Sequence, residues 1–294
     1  LDAFALVTAA DVTKVIARLP DIKASAVDPI PTSVLKSISD LVAPFIAELF
    51  NRSLTAGQFP TEFKNAFITP IVKKAGLDAT STSSYRPISN LSVLSKTFER
   101  VVARQLLNYL LFNNLLPSLQ SGFRPGHSTE TAILHVLSDI LTAVDHGEFA
   151  ALVLLDLSAA FDTVDHAILL KRLSCSFGIV GSAYQWFVSY LTGRSQCVRC
   201  GNSSSQPTSL ECGVPQGSVL GPILFVLYTA DLQAIIQKHR LTPHLYADDT
   251  QIYASCQPGD AGQLSRRLAE CVSDVAAWMR SNRLQLNVDK TELM

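Results

Sequence analysis

Asp248 and Asp249 stand side by side in His244-Leu-Tyr-Ala-Asp-Asp-Thr-Gln-Ile-Tyr-Ala254, a stretch otherwise fit for interior strands. Two carboxylates held close repel each other, and desolvating them costs more unless a cation lies between them or one takes a proton. Magnesium meets that need: it takes oxygen from one or two carboxylates and fills its octahedron with waters and substrate phosphates. A third acid, Asp156, ends the apolar run Phe149 to Leu155. Three acids on neighbouring strand ends would make a two-metal site. Adjacent acids alone more often mark an exposed turn, so the apolar setting carries this reading.

The elements that must position these acids follow from periodicity. Phe149 to Leu155 predicts a strand buried on both faces, and residues 244 to 254 predict two short strands with the acid pair at or near the bend. Cys212-Gly-Val-Pro-Gln-Gly-Ser-Val-Leu-Gly-Pro222 places glycines where backbone could approach a ligand closely. Helical spacing of Val101, Val102, Leu106, Tyr109 and Leu110 predicts an amphipathic helix from Phe98. A second helix is expected after Pro125-Gly126 with Ser128 as N-cap, and a third over Leu264 to Met279 with Leu268, Cys271, Val272 and Val275 in one stripe. Residues 1 to 60 predict short helices broken by Pro20, Pro29, Pro31, Pro44 and Pro60. The sum is an α+β domain, helices packed on one antiparallel sheet.

The chain has 294 residues, 48% hydrophobic and 17% charged, which excludes intrinsic disorder. Its longest unbroken apolar run is seven residues, short of a membrane span, so a protein with no membrane partner is expected. Six cysteines include only one tight pair, Cys197-Val-Arg-Cys200, so reduced thiols are expected ahead of a zinc site. Sequons at Asn51, Asn90 and Asn202 carry little weight without a secretory signal. Formal net charge is −1, but its distribution is uneven. Between Lys64 and Arg124 eight cations face two acids, and between Pro125 and Leu170 there are seven acids and no Lys or Arg. That pattern suggests a phosphate-binding surface followed by a metal-binding one, with two solvated faces as the plain alternative.

The segments around Asp156, Gln216 and Asp248 resemble motifs A, B and C of reverse transcriptases, and the fuller set is similar to the non-LTR, LINE-type retrotransposon group. Further matches are Tyr85-Arg-Pro-Ile-Ser-Asn90 with Lys96-Thr-Phe-Glu-Arg100, Gln120-Ser-Gly-Phe-Arg-Pro-Gly-His-Ser-Thr129 and Asn287-Val-Asp-Lys-Thr-Glu292. They cover about residues 60 to 294 in family order. Residues 1–60 are expected to form an N-terminal helical extension, and the resemblance implies a right-hand polymerase beyond it, with fingers at 61–148 and palm at 149–294. It implies RNA-templated transfer of deoxynucleotides to a DNA primer with Mg²⁺, and, by analogy alone, work in the nucleus.

Roles carry over onto matching positions. Asp156 and Asp248 would be the principal metal ligands, with Asp249 the adjacent, less engaged acid. Phe161 matches a steric gate against a 2′-hydroxyl; its bland reading is an ordinary core ring. Gln216 and Gly217 match the loop near the nascent base pair. Arg86, Lys96 and Arg124 could cradle the triphosphate, or serve the template backbone instead. Lys290 matches a lysine proposed as general acid for pyrophosphate, or is a solvated surface lysine. Asp162, Asp165 and His166 are expected to be supporting or structural.

The chain reads as a fragment, with no upstream endonuclease and an end before any thumb, so weak grip on primer-template is expected. Two rival readings stand: another palm-type nucleotidyl transferase, such as an RNA-templated RNA polymerase or a nucleotide cyclase, and a degenerate element remnant acting only as a nucleic-acid-binding or interaction module.

Overall fold

The computed structural model describes residues 1–24, 28–124, 126–201 and 203–294. Asn202 and Pro125, each part of a sequence-level expectation above, lie outside the described residues. The chain divides into two compact units that interleave in sequence: residues 1–115 with 169–221, and 116–168 with 222–294. The first 60 residues belong to the first unit.

In the first unit, helix Val93–Phe112 starts at Ser92, whose side chain accepts from the Ser95 amide and so satisfies one orphan N–H of the first turn. Its stripe Phe98, Val101, Val102, Leu106 and Leu110 is buried. Phe98 stacks on Phe50 at 4.1 Å between ring centroids and meets Trp186 edge-on at 5.4 Å. The buried Trp186 finds a polar partner too, donating its ring N–H to Ser53 at 3.1 Å. Pro44 lies inside helix Ser39–Ala56 rather than ending it. It removes one backbone bond near the helix start, and burial of Ala43, Ile46, Ala47, Phe50 and Leu54 along that helix offsets the loss.

This unit also holds a sheet that periodicity did not foresee. Asn65–Val72 pairs antiparallel with Tyr85–Asn90 and parallel with Arg194–Cys200, which in turn pairs with Ser203–Ser204 and Thr208–Leu210. The expectation of one antiparallel sheet is therefore corrected: there is a second, mixed one. Arg194–Cys200 reads Arg-Ser-Gln-Cys-Val-Arg-Cys, too polar to announce itself as a strand.

In the second unit the strands run in the order Glu292–Leu293, Phe149–Leu155, Asp249–Cys256, Thr242–Tyr246, all antiparallel. Burial along Phe149–Leu155 alternates, with Ala151, Val153 and Leu155 buried and Ala150, Leu152 and Leu154 half-buried, instead of both faces being sealed. Helix Ala261–Ser281 packs on strand Asp249–Cys256, and its Leu264 and Leu268 line an apolar cavity of about 610 Å³ together with Ala151 and Val153. Helix Thr129–Asp145 packs against the sheet as well, and its Asp139 accepts from the Tyr253 hydroxyl at 2.6 Å. That helix begins at Ser128 with a capping box, as its sequence predicts. Residues 220–238 are long and apolar enough to cross a membrane by composition, contrary to the reading from unbroken runs. They form two helices, Leu220–Thr229 and Leu232–Lys238, and 61% of the stretch is buried within the protein, which accounts for its apolarity.

His244, on Thr242–Tyr246, shares a hydrogen bond of 3.2 Å with the Ser121 hydroxyl. Burial first, then the nearby His135 and His127, hold its pKa below the usual histidine value, against an opposing pull from Asp139. The unfolded chain protonates such a histidine near ~6.5. A depressed folded pKa therefore gives stability that is full above that value and is lost as pH falls toward the folded pKa. Melting temperature should drop on going from pH 7 to about pH 5, and His244→Gln should flatten that drop; a slope unchanged by the substitution would remove His244 as its source.

Candidate active site

The site is built where two strands end together. Leu155 pairs with Thr250 as the last register pair between Phe149–Leu155 and Asp249–Cys256. Asp156 stands one residue beyond that pair on one strand and Asp249 one residue beyond it on the other. The hairpin closes through Ala247 and Asp248, with Tyr246 opposite Asp249. Ala247 has φ of +56°, an uncommon conformation for a residue with a Cβ. Asp156 and Asp249 line a cleft of about 410 Å³ with Thr250, Gln251, Asp289, Lys290 and Glu292.

Electrostatics tie the acids together. Asp249 has its pKa raised, first by burial of its surroundings and then by the charges of Asp248 and Asp156, while Lys290 pulls the other way. One oxygen of Asp156 receives Lys290 Nζ at 3.3 Å and Asn287 Nδ2 at 3.1 Å. The Asn287 amide also donates to the Asp156 carbonyl at 2.8 Å. Asn287 fixes both backbone and carboxylate of Asp156, a role unread in the sequence although the residue opens a quoted block. Asp289 and Glu292 are further acids that sequence reasoning passed over.

Among the described residues, no three His, Cys, Asp or Glu side chains converge closely enough to hold one metal ion. Asp248 lies in the turn, whereas Asp249 opens the strand and lines the cleft with Asp156. Magnesium needs only one or two carboxylates, with water and phosphate completing its shell, and the donors here are hard oxygens. The residues present fit that ion. Cys197 and Cys200 lie on one strand, and among the described residues all six cysteines are free thiols.

Phe161 follows in the same unit, half-buried, its ring 4.9 Å from that of Phe225. Asp165 accepts from the Ile168 amide at 2.9 Å at the start of helix His166–Cys175, a structural role. Arg124 donates to the carbonyls of Pro117 and Ser118, both at 3.2 Å. Of the seven acids between 125 and 170, Asp156 alone lines the cleft, whereas Asp139 and Asp165 hold local structure.

The remaining candidates lie in the first unit. Arg86 is exposed on strand Tyr85–Asn90, opposite Ile71, and Lys96 is half-buried in the first turns of Val93–Phe112. Arg104 is paired with Asp11 at 3.0 Å, so not every cation of the basic segment is available to phosphate. The Gln216 carbonyl accepts from the Ser89 amide at 2.8 Å, and its side-chain oxygen is buried without a hydrogen-bond partner. Gly217 has φ of +105°, and a Cβ there would sit 3.1 Å from the Ser89 carbonyl, so glycine is required. The turn is held from its other side by Glu99, fully buried, which accepts from the Val219 and Leu220 amides at 2.7 and 3.0 Å. A carboxylate at a helix start satisfies orphan N–H groups. Burial raises the Glu99 pKa, against those amides and Arg194.

Comparison with known proteins identifies the family. The family model "Reverse transcriptase (RNA-dependent DNA polymerase)" matches residues 71–294. The chain is 35% identical over 286 residues to the probable RNA-directed DNA polymerase from transposon BS of Drosophila melanogaster, covering 96% of this chain and 31% of that one. It is 35% identical, with the same coverage, to the probable RNA-directed DNA polymerase from transposon X-element of Drosophila melanogaster. It is 30% identical over 289 residues, 97% of this chain and 31% of the other, to the RNA-directed DNA polymerase from mobile element jockey of the same organism. It thus spans about a third of the length of these relatives. The chain belongs to the reverse transcriptase family, as a reverse transcriptase domain of the non-LTR, LINE type.

Proposed function

We propose that the protein adds deoxynucleotides, templated by RNA, to the 3′-hydroxyl of a DNA primer. The observation that carries this is the shared end of two strands, where Asp156 and Asp249 face one cleft with Asp248 in the adjoining turn. Asp156 and Asp248 would be the principal holders of Mg²⁺, with Asp249 beside them. When bound, the metal stabilises charge on the phosphates and makes the primer hydroxyl a better nucleophile. The chain's own groups do the rest. The Phe161 ring excludes a ribose 2′-hydroxyl, and Gln216 with Gly217 lies along the nascent base pair. Arg86, Lys96 and Arg124 neutralise phosphate, and Lys290 Nζ delivers a proton to the departing pyrophosphate. The division into fingers at 61–148 and palm at 149–294 belongs to the same reading, as does a nuclear place of work. The test is extension of a labelled DNA primer on an RNA template with Mg²⁺ and deoxynucleotides. Template-directed products are expected, and their absence with folded protein would sink the proposal.

A further inference from the structure

We propose that Gln120 is a positioning residue for the acidic hairpin, its side-chain oxygen holding the backbone of Ala247 in the conformation that aims Asp248 and Asp249. The kinetic part of this proposal rests on the polymerase reading above. A left-handed alanine is costly and persists only where its surroundings over-determine it. Those surroundings are visible. Gln120, 3% exposed, accepts from the Ala247 amide at 3.2 Å and from the Gly122 amide at 2.7 Å through the same oxygen.

The segment before the turn is locked as well. The Leu245 amide donates to the Leu119 carbonyl at 2.9 Å, and the Ser121 amide donates to the Leu245 carbonyl at 2.8 Å. A Cβ on Gly122 would lie 2.2 Å from the Ala247 nitrogen, so only glycine lets the two backbones meet here. One oxygen serving two N–H donors is a task for an amide or carboxylate, not for an apolar side chain. Without it both donors lose their partner, and the turn can relax toward negative φ, rotating the directions in which the two acids leave the chain.

The test is a cycle of Gln120→Met and Ala247→Gly in the full chain, with Gln120→Glu as the conservative variant. Gln120→Met removes the acceptor at similar volume, so kcat for primer extension should fall about 10- to 100-fold while KM for deoxynucleotide stays within about threefold. Hydrogen exchange at the residue 247 amide should accelerate in parallel. Adding Ala247→Gly should recover most of the lost kcat, since glycine takes positive φ without strain. Gln120→Glu should keep both rate and protection. Unchanged exchange in Gln120→Met overturns the proposal, as does a folded double variant with no recovery. Should Gln120→Met not fold, Ala247→Gly alone still decides: relief of strain keeps or raises its melting temperature, and a fall overturns the argument. Exchange and melting need no turnover, so an inactive wild type would count against the polymerase reading and leave the brace tested.

Discussion

If Asp248 holds metal as proposed, Asp248→Asn is expected to abolish primer extension, lowering kcat by at least ~10³-fold, because it removes one of the charges on which metal-assisted phosphoryl transfer depends. The substitution is nearly isosteric, and Asp248 is half-exposed in the two-residue turn between Thr242–Tyr246 and Asp249–Cys256. The melting temperature should therefore move by no more than a few degrees. Loss of activity with an intact melt separates chemistry from folding. Wild-type and Asp248→Asn proteins run side by side on the same RNA template supply the comparison, and activity within tenfold of wild type would discard the site. Asp156→Asn should be as severe, with a structural difference. Its oxygen receives both Asn287 and Lys290, so the neutral amide also loses the Lys290 ion pair.

Phe161→Val is expected to admit ribonucleotides if the ring is the proposed gate. The ring is half-buried and packs on Phe225 at 4.9 Å, which fixes its position in the same unit as Asp156. If it blocks the 2′-hydroxyl, shortening it should shift the ratio of kcat/KM for deoxynucleotide over ribonucleotide by about 10²-fold, mostly through better ribonucleotide use. An ordinary packing ring behaves differently: its truncation costs about 1–3 kcal/mol at a half-buried site and leaves sugar selectivity untouched. The two readings part on one measurement, incorporation of each nucleotide opposite the same template base. A lower melting temperature with an unchanged ratio would return Phe161 to the core.

Much of this protein was legible because its signals are local. The N-cap at Ser128, the buried stripe of Val93–Phe112 and that of Ala261–Ser281 follow from residue type at helical spacing. The Leu-Tyr-Ala-Asp-Asp hairpin and the strand leading to Asp156 are local as well, and the ordered blocks around them led to the family. What periodicity could not show depends on partners distant in the chain. The mixed sheet joins residue 65 to residue 195, and its polar strand Arg194–Cys200 is a strand because Asn65–Val72 and Thr208–Leu210 pair with it. Pro44 sits inside a helix because tertiary burial outweighs one missing backbone bond. Charge counts alone do not show which charges are engaged: Glu99 accepts from the Val219 amide, Asp139 from Tyr253 and Asp165 from the Ile168 amide, and Arg104 pairs with Asp11.

The sequence by itself determined which residue types stand where: acids at 156, 248 and 249, and glycines within 212–222 where backbone could approach a ligand. Only the tertiary structure decided how they are aimed. Strand register puts Asp156 and Asp249 at one level, Asn287 and Gln120 hold carboxylate and turn, and Gly122 admits one backbone against another. The physical reason is range: propensity and capping act within a few residues, whereas register, hydrogen bonds between distant segments and steric fit exist only once the chain has closed on itself.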